Sequence, residues 1–178
     1  MSSTPMRFEV PEVLTPRLRL RAFTGADLDA YAAICADEEV MRYIGTGGAV
    51  GRDVAWRHLA SFNGQWTLSG YGMWALERRS DGVLVGRAGF LNPVGWPANE
   101  LGWTLARSAW GQGYAFEGSE AARRFGRAEL GVTDLISLIR DANTRSIALA
   151  ERLGARNAGP IDFLGGQALV FKHPSAGT

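Results

Sequence analysis

The spacing of apolar residues along the chain predicts a series of strands and helices. Between residues 14 and 23, Leu18, Leu20 and Ala22 alternate with arginines, which is the period of a half-buried strand. A turn at residues 80–82 joins the next two apolar runs into an antiparallel hairpin. The predicted strands cover residues 14–23, 71–78, 83–91, 100–105, 135–140, 161–164 and 168–171.

Apolar residues that recur every three or four positions predict five helices. The first begins after Thr24, whose hydroxyl is a typical helix cap, and carries Leu28, Tyr31 and Cys35 on one face. The others are predicted at residues 37–43, 52–68, 116–129 and 143–153. This order of elements indicates an α+β fold with a mixed sheet flanked by helices. We expect a single domain at residues 13–174 after a loose lead-in at residues 1–12.

Composition restricts the classes of partner. The 178 residues carry a formal net charge of +1, which gives no electrostatic reason to expect nucleic acid or a membrane surface as a main partner. No apolar run approaches the length of a membrane helix, and residues 1–13 do not resemble a signal peptide. We therefore expect a soluble, cytoplasmic protein. Cys35 is the one cysteine, and His58 and His173 lack metal-ligand spacing, so neither a disulfide nor a metal site is predicted.

A glycine-containing loop at residues 110–113 lies between a predicted strand and a predicted helix. Glycines let the backbone approach a ligand closely, and the unpaired N–H groups of a first helical turn attract anions. The sequence therefore predicts a phosphate or pyrophosphate site here. The alternative is a glycine-rich turn that only connects the strand to the helix.

Three known phosphate-binding glycine loops are candidates for residues 110–117. No lysine follows the glycines, which excludes the P-loop of nucleotide-binding proteins. The dinucleotide fingerprint that would start at Gly111 needs a small residue where Phe116 stands. The chain matches the acetyltransferase loop [QR]-x-x-G-x-[GA] at Gly113 and Ala115. It departs from that pattern at the first position, where Trp110 stands in place of Gln or Arg.

The whole phrase Trp110-Gly-Gln-Gly-Tyr-Ala-Phe-Glu117 resembles the W-G-x-G-Y-A-x-E loop of the RimJ/RimL branch (ribosomal-protein N-terminal acetyltransferases) of the GNAT superfamily. Residues 143–155 resemble the GNAT pattern N-x-x-S-x-x-x-x-E-[KR]-x-G-[FA] at its usual distance downstream. Residues 14–21, 37–43 and 100–103 resemble three further segments of the branch, in family order. The resemblance covers residues 14–155.

The resemblance implies a GNAT fold, with a central, mostly antiparallel twisted sheet, and acetyl-CoA as co-substrate. It implies that Trp103, Thr104 and Leu105 offer backbone hydrogen bonds to the pantetheine arm. It places Asn143 beside the pantetheine and Ser146 near the sulfur. The residues implied at the pyrophosphate are Trp110, Gly111, Gln112, Gly113, Tyr114 and Ala115.

Acetyl transfer to an amine also needs proton transfer, because a protonated amine cannot attack a thioester. Glu100 is the candidate base, and its alternative role is to orient a loop or the substrate amine. Ser146 is the candidate acid for the leaving thiolate, and its alternative is an ordinary helix-terminus hydroxyl. Many relatives use a tyrosine in this helix, and none stands between Asn143 and Leu153.

The resemblance thus implies direct transfer in a ternary complex, with a protein N-terminal α-amine as the first candidate acceptor. The alternatives are a small-molecule amine (aminoglycoside, polyamine or amino acid) and a module that binds acetyl-CoA without transfer. Tyr43, Trp96 and residues 161–166 are expected to border the acceptor site by analogy of fold. The resemblance to the RimJ/RimL branch is also compatible with assembly of this chain as a homodimer.

Overall fold

The structure is a computed structural model and describes residues 9–175. The first half contains β1 (Val13–Leu14), β2 (Leu18–Arg21), α1 (Leu28–Cys35), α2 (Glu38–Met41), α3 (Arg52–Ser69), β3 (Met73–Arg78) and β4 (Leu84–Leu91). The second half contains β5 (Glu100–Leu105), α4 (Tyr114–Glu129), β6 (Ile136–Ile139), α5 (Thr144–Arg152), β7 (Arg156–Phe163) and β8 (Gly166–Lys172).

The strands form one sheet in the order β1-β2-β3-β4-β5-β6-β8-β7. Within residues 9–175, β5 and β6 are the one parallel pair of neighbours, and all other neighbouring pairs are antiparallel. The predicted α+β fold with a mostly antiparallel sheet is confirmed. The parallel pair is joined only at Glu100 and Ile136, so β5 and β6 diverge beyond that point and the sheet opens between them.

Helices pack on both faces of the sheet. Met73 and Ala75 of β3 belong to an apolar cluster with α1, α2 and α3, whereas Trp74 and Leu76 belong to a cluster with α4. This alternation is the one expected of a strand that is buried on both faces. No helix of the described chain is both long and apolar enough to cross a membrane.

The first predicted strand differs from the structure. Residues 14–23 are not one strand, because Thr15 and Pro16 form a turn in which the Thr15 N–H donates to the Leu18 carbonyl at 2.9 Å. Residues 1–8 of the predicted lead-in lie outside the described residues, and residues 9–12 form neither helix nor strand. Val10 packs on the core, and the Pro11 carbonyl accepts a 2.8 Å hydrogen bond from the Trp74 indole.

The small-residue face of α4 is explained by the sheet beneath it. A Cβ at Gly118 would lie 3.0 Å from the methyl groups of Leu76, and a Cβ at Gly126 would overlap the ring of Phe90. These glycines therefore let α4 approach the sheet closely, and they do not serve a ligand.

Gly126→Ala is expected to lower the free energy of unfolding by about 1–3 kcal/mol, because the added methyl group displaces the Phe90 ring. Gly64→Ala is the matched control: Gly64 is also inside a helix, and a Cβ there meets nothing within 4 Å. That control is expected to gain about 0.5–1 kcal/mol from helix propensity. Urea unfolding of both variants measures the difference, and equal effects would contradict this packing account.

Candidate active site

Two cavities of about 460 and 410 Å³ lie where β5 and β6 diverge. The first is lined by the end of β5, the glycine loop and the starts of α4 and α5. The second is lined by the start of β5, by β6 and by residues of α3, β4 and β7. Both cavities are lined by Tyr43, Ile44, Trp103, Asn143 and Ser146. The two cavities therefore meet at the beginning of α5.

The glycine loop gives the first cavity a set of unpaired N–H groups. Gly111 and Gly113 have φ values of 72° and 81°, in the left-handed region that glycine adopts without strain. The Glu117 N–H donates to the Gly113 carbonyl at 3.0 Å, so the N–H groups of residues 114–116 precede the first hydrogen bond of the helix. Residues 114–116 all line the cavity. The start of α4 therefore presents unpaired N–H groups to the cavity, as the predicted anion site requires.

The diverging edge of β5 supplies further backbone groups. The Leu101 carbonyl accepts a 2.6 Å hydrogen bond from the Ser137 hydroxyl on the β6 side. Peptide groups alternate along a strand, so those of Trp103 and Leu105 point to the same side, where β6 has moved away. The Leu105 carbonyl accepts a 3.0 Å hydrogen bond from the Trp110 indole. The Trp103 N–H and carbonyl and the Leu105 N–H therefore face the opening.

Three side chains are fixed at the junction of the cavities. Asn143 caps α5, because its Oδ1 accepts a 3.3 Å hydrogen bond from the Ser146 N–H. The Trp103 indole N–H donates to the Ser146 Oγ at 3.2 Å. The hydroxyl proton of Ser146 is therefore free to be donated to another group.

The structure brings most of the predicted cofactor residues together on the first cavity. They are Trp103, Thr104, Leu105, Trp110, Gly111, Gly113, Tyr114, Ala115, Asn143 and Ser146. Thr104 lines the cavity, but its peptide group faces β4 and not the opening, and its buried hydroxyl has no hydrogen-bond partner within residues 9–175. Gln112 is the exception: it is exposed, does not line the cavity, and its amide donates to the Ser108 carbonyl at 2.8 Å.

Three arginines that the sequence analysis did not assign also line the first cavity: Arg42, Arg145 and Arg152. The Arg145 guanidinium lies 3.9 Å from the centre of the Trp110 ring, and that of Arg152 lies 4.9 Å from the centre of the Phe116 ring. Arg42 and Arg145 form ion pairs with Glu39 at 2.7 and 3.1 Å, and the three arginines together leave the cavity an excess of positive charge, which favours anions. Arg152 falls on the [KR] position of the downstream motif, which is the signal that pointed to it.

Residues 17–156 match the family described as "Acetyltransferase (GNAT) domain". The chain belongs to the GNAT acetyltransferase family. Acetyl-CoA is the co-substrate of this family, and the first cavity is the candidate site for it.

Individual relatives agree with this assignment. An acetyltransferase from Agrobacterium tumefaciens str. C58 superposes with a TM-score of 0.84 at 27% identity, over 97% of this chain and 99% of that one. The Bacillus subtilis (strain 168) protein YkkB is 30% identical over 148 residues, which are 80% of this chain and 84% of YkkB. The ribosomal L7/L12 α-N-acetyltransferase RimL, in complex with coenzyme A, shares the fold with a TM-score of 0.76 at 16% identity, over 92% of this chain and 97% of RimL.

The candidate base Glu100 lies in the second cavity of this GNAT domain. Its Oε2 accepts a 2.6 Å hydrogen bond from the Trp96 indole, and the Trp96 ring meets the Phe163 ring edge to face at 4.8 Å. Burial raises the pKa of Glu100, and the Trp96 hydrogen bond and the positive charge of Arg87 oppose that rise. Tyr43, Trp96, Phe163 and Leu164, which were expected to border the acceptor site, line this cavity with Glu100. Their role at an acceptor stays a prediction.

A buried hydrogen-bond chain holds β5 to β6 below the opening. Ser137 Oγ donates to the Leu101 carbonyl, so the His173 Nε2, at 2.9 Å, donates to Ser137 Oγ. Burial and the charges of Arg123 and Arg127 lower the pKa of His173 to about 4, and the imidazole stays neutral. The Ser137 hydroxyl is thereby committed to the backbone and is not a nucleophile.

Glu117, left open by the sequence analysis, connects α4 to the first turn of the chain. Its carboxylate accepts hydrogen bonds from the Thr15 hydroxyl at 2.6 Å and from the Arg17 N–H at 2.8 Å, and the Arg17 side chain lies at 2.6 Å. Burial opposes ionisation, but these donors outweigh it and lower the pKa of Glu117. The carboxylate therefore fixes the turn and does not face the cavity.

Gly113→Ala is expected to weaken acetyl-CoA binding by about tenfold, because a residue with a Cβ resists the left-handed conformation that presents the loop N–H groups. Gly131→Ala is the control, since Gly131 has a φ of 65°, open space around it and no place in either cavity. Both variants should lose similar stability, and only Gly113→Ala should raise the Kd measured by calorimetry. Equal Kd values in the two variants would contradict the assigned loop.

Proposed function

We propose that this protein transfers the acetyl group of acetyl-CoA directly to a primary amine. The observation that carries the proposal is the meeting of the two cavities at Trp103, Asn143 and Ser146. Coenzyme in the first cavity and amine in the second would bring the thioester and its attacker together at the start of α5. Such positioning alone lowers a bimolecular barrier substantially.

The first cavity supplies a partner for each part of the coenzyme arm. The pyrophosphate binds the N–H groups of residues 114–116, with Arg145 and Arg152 beside it. The pantetheine would lie along the open edge of β5, and the Thr104 hydroxyl, which has no partner within residues 9–175, could donate a hydrogen bond to it. The Trp103 N–H polarises the thioester carbonyl as it gains negative charge.

Glu100 acts as the base in this scheme. A model Lys amine is neutral about one time in 10³ at pH 7 and an α-amine about one time in ten, so the proton must be removed before attack. Burial shifts the pKa of Glu100 upward, which makes it a better proton acceptor than an exposed carboxylate. Trp96 fixes one carboxylate oxygen and leaves the other for the amine or a bridging water.

Ser146 acts as the acid. Its Oγ accepts the Trp103 indole N–H, and its own proton is free for the leaving thiolate. Cys35 does not form an acetyl-enzyme in this scheme: it is buried within α1, and burial raises the pKa of its thiol, so that it stays protonated. Transfer is therefore direct.

The acceptor that we propose first is a protein N-terminal α-amine, as in the RimJ/RimL branch. One support is the resemblance of residues 110–117 to the loop of that branch. The other is that α-amines have a lower pKa than Lys amines, so that a single carboxylate base can deprotonate them more readily. A small-molecule amine is the second candidate. Among residues 9–175, Glu100 is the one carboxylate that lines the second cavity, which disfavours polycationic acceptors such as aminoglycosides.

The experiment is thiol release from acetyl-CoA with a panel of amines, run beside a thermal shift with acetyl-CoA. Peptides with free α-amines, the same peptides with blocked α-amines, amino acids and polyamines form the panel. We expect release with free α-amines, and slower release in Ser146→Ala than in Tyr43→Phe, which lines the same junction. A thermal shift without thiol release from any amine would show a binding module instead.

A further inference from the structure

The second cavity contains a buried arginine that the proposed chemistry does not use. Arg87 stands in β4 among apolar and glycine residues and is only 7% exposed, yet it lines the cavity. It lies on the same face of the sheet as Glu100: Arg87 pairs with Thr104 across the strands, and Glu100 is on the same side of β5.

The positive charge of Arg87 is not compensated within the described chain. No carboxylate of residues 9–175 lies within 4.0 Å of the guanidinium, and its Nε is fully buried without a hydrogen-bond partner. The Phe62 ring covers the guanidinium at 5.0 Å. A buried charge without a partner is strongly unfavourable, so natural proteins keep one where a partner arrives from elsewhere.

The titratable neighbours of Arg87 on the packed helices are neutral. Burial raises the pKa of Tyr31 to about 12, although the charge of Arg87 and its hydrogen bond to the Tyr31 hydroxyl oppose the rise. Tyr31 thus gives Arg87 a neutral polar partner but no negative charge. Burial also raises the pKa of Cys35. Burial and the charge of Arg87 lower the pKa of His58. Glu100 is influenced by Arg87 but is bonded to Trp96 and lies beyond ion-pair distance.

The other arginine of the second cavity already has partners. Arg140 donates to the backbone carbonyls of Gln167 at 2.9 Å and Gly45 at 3.1 Å. The lining thus holds two guanidinium groups and one carboxylate. Of the two guanidinium groups, only Arg87 has neither a carboxylate nor a carbonyl of residues 9–175 bound to it. The lining therefore carries more positive than negative charge.

We propose that the acceptor of this enzyme carries a carboxylate in addition to its amine, and that Arg87 binds that carboxylate. The proposal rests on the proposed function and names its substrate class. Thr104 and Glu100 are four residues apart on β5, about 13 Å along the strand. That distance separates backbone positions, and the long side chains of Arg87 and Glu100 line the same cavity within it. A molecule of amino-acid size would direct its amine toward Glu100 and its carboxylate toward Arg87. A free amino acid and a peptide with an acidic first residue share this chemistry.

The test compares acceptors of matched size with and without a carboxylate, by thiol release from acetyl-CoA at equal concentrations of the neutral amine. The pairs are amino acids and their amides, and C-terminally amidated peptides beginning with Asp and with Asn. Wild-type protein should show a KM about 10- to 100-fold lower for the carboxylated member of at least one pair. A preference within the free amino acids or within the peptides identifies the source of the carboxylate. Equal KM values in every pair would overturn the proposal.

Arg87→Gln and Arg87→Lys separate ligand binding from a structural role. Arg87→Gln should remove the preference for the carboxylated acceptor, leave the KM for acetyl-CoA within about threefold, and not lower the Tm of the free protein. Arg87→Lys should retain part of the preference. An equal loss of kcat for all amines in Arg87→Gln would show instead that Arg87 only supports the ionised form of Glu100, and would overturn the proposal.

A binding measurement keeps the inference testable if no amine is acetylated. Amino acids and acidic peptides are added to the coenzyme A-loaded protein, and the thermal shift is compared between wild type and Arg87→Gln. Stabilisation of the wild type alone would support the carboxylate site while the transfer chemistry fails. No stabilisation by any carboxylated amine would overturn the site itself.

Discussion

Glu100→Gln is expected to lower kcat by about 10²- to 10⁴-fold at pH 7, which is the usual contribution of a positioned base. Glutamine keeps the size of the side chain and can still accept the Trp96 hydrogen bond, but it cannot take the proton of the amine. Binding of acetyl-CoA, measured as a thermal shift, should stay unchanged because Glu100 does not line the first cavity. A loss of less than about threefold would show that Glu100 only orients its surroundings.

The raised pKa of Glu100 makes activity and stability change in opposite directions with pH. Wild-type kcat/KM should rise with pH through the pKa of Glu100, which burial has raised above that of an exposed carboxyl group. The same shift means that the folded state holds the proton more tightly than the unfolded state. The stability that Glu100 contributes is therefore full below its unfolded pKa and is lost as pH rises through the raised folded value.

Glu100→Gln should consequently be no less stable than wild type at pH 8, and the difference between their Tm values should vanish towards pH 4. The variant that loses activity thus keeps or gains stability. A Tm of Glu100→Gln below the wild-type value at pH 8 would contradict the burial of an ionised carboxylate at this position.

Asp27→Asn is expected to cost about 3–5 kcal/mol of stability, the usual loss when one partner of a buried ion pair is removed. The Asp27 carboxylate binds the Arg21 guanidinium through two contacts of 2.7 and 2.8 Å and accepts hydrogen bonds from the Thr24 N–H and hydroxyl. It is 6% exposed and connects β2 to the start of α1. Urea unfolding measures the loss.

Asp29→Asn is the matched control for this pair. Asp29 lies two residues further along, and its side chain is 85% exposed where it meets Arg52. The control should change the free energy of unfolding by less than about 1 kcal/mol. Burial opposes the ionisation of Asp27, but Arg21 and Thr24 outweigh it and lower the pKa of Asp27, so its contribution should be lost as pH falls through that lowered value. Equal losses in both variants would contradict the account.

Much of the fold followed from local sequence. The bounds of β5 were predicted as observed, and those of α3 to within one residue, because apolar spacing and glycine or proline punctuation act within a short stretch. The turn at Thr15 and Pro16 was missed because apolar and polar residues alternate both before and after it. The prediction carried a strand through a proline, which removes a backbone donor.

The parts of the candidate site that depend on the backbone of one short motif could be predicted from the sequence. The parts that depend on contacts between distant segments could not. Gly113 and the start of α4 were located from one loop. The contact between Trp103 and Ser146 joins residues 43 positions apart, and no local pattern reports it. Gln112 lies inside the motif but turns to solvent between two left-handed glycines. The sequence shows that Arg87 lies within an apolar strand. It does not show that the guanidinium has no carboxylate partner within residues 9–175, because that depends on how distant segments pack.

The measurement that tests the central claim most directly is a crystal structure of the protein with coenzyme A. The account predicts pyrophosphate on the N–H groups of residues 114–116 and pantetheine along Trp103 and Leu105. It also predicts a sulfur within about 4 Å of Ser146 Oγ, at the opening to the cavity that holds Glu100. Coenzyme in the second cavity, or a sulfur directed away from Ser146, would contradict the proposed path of the acetyl group.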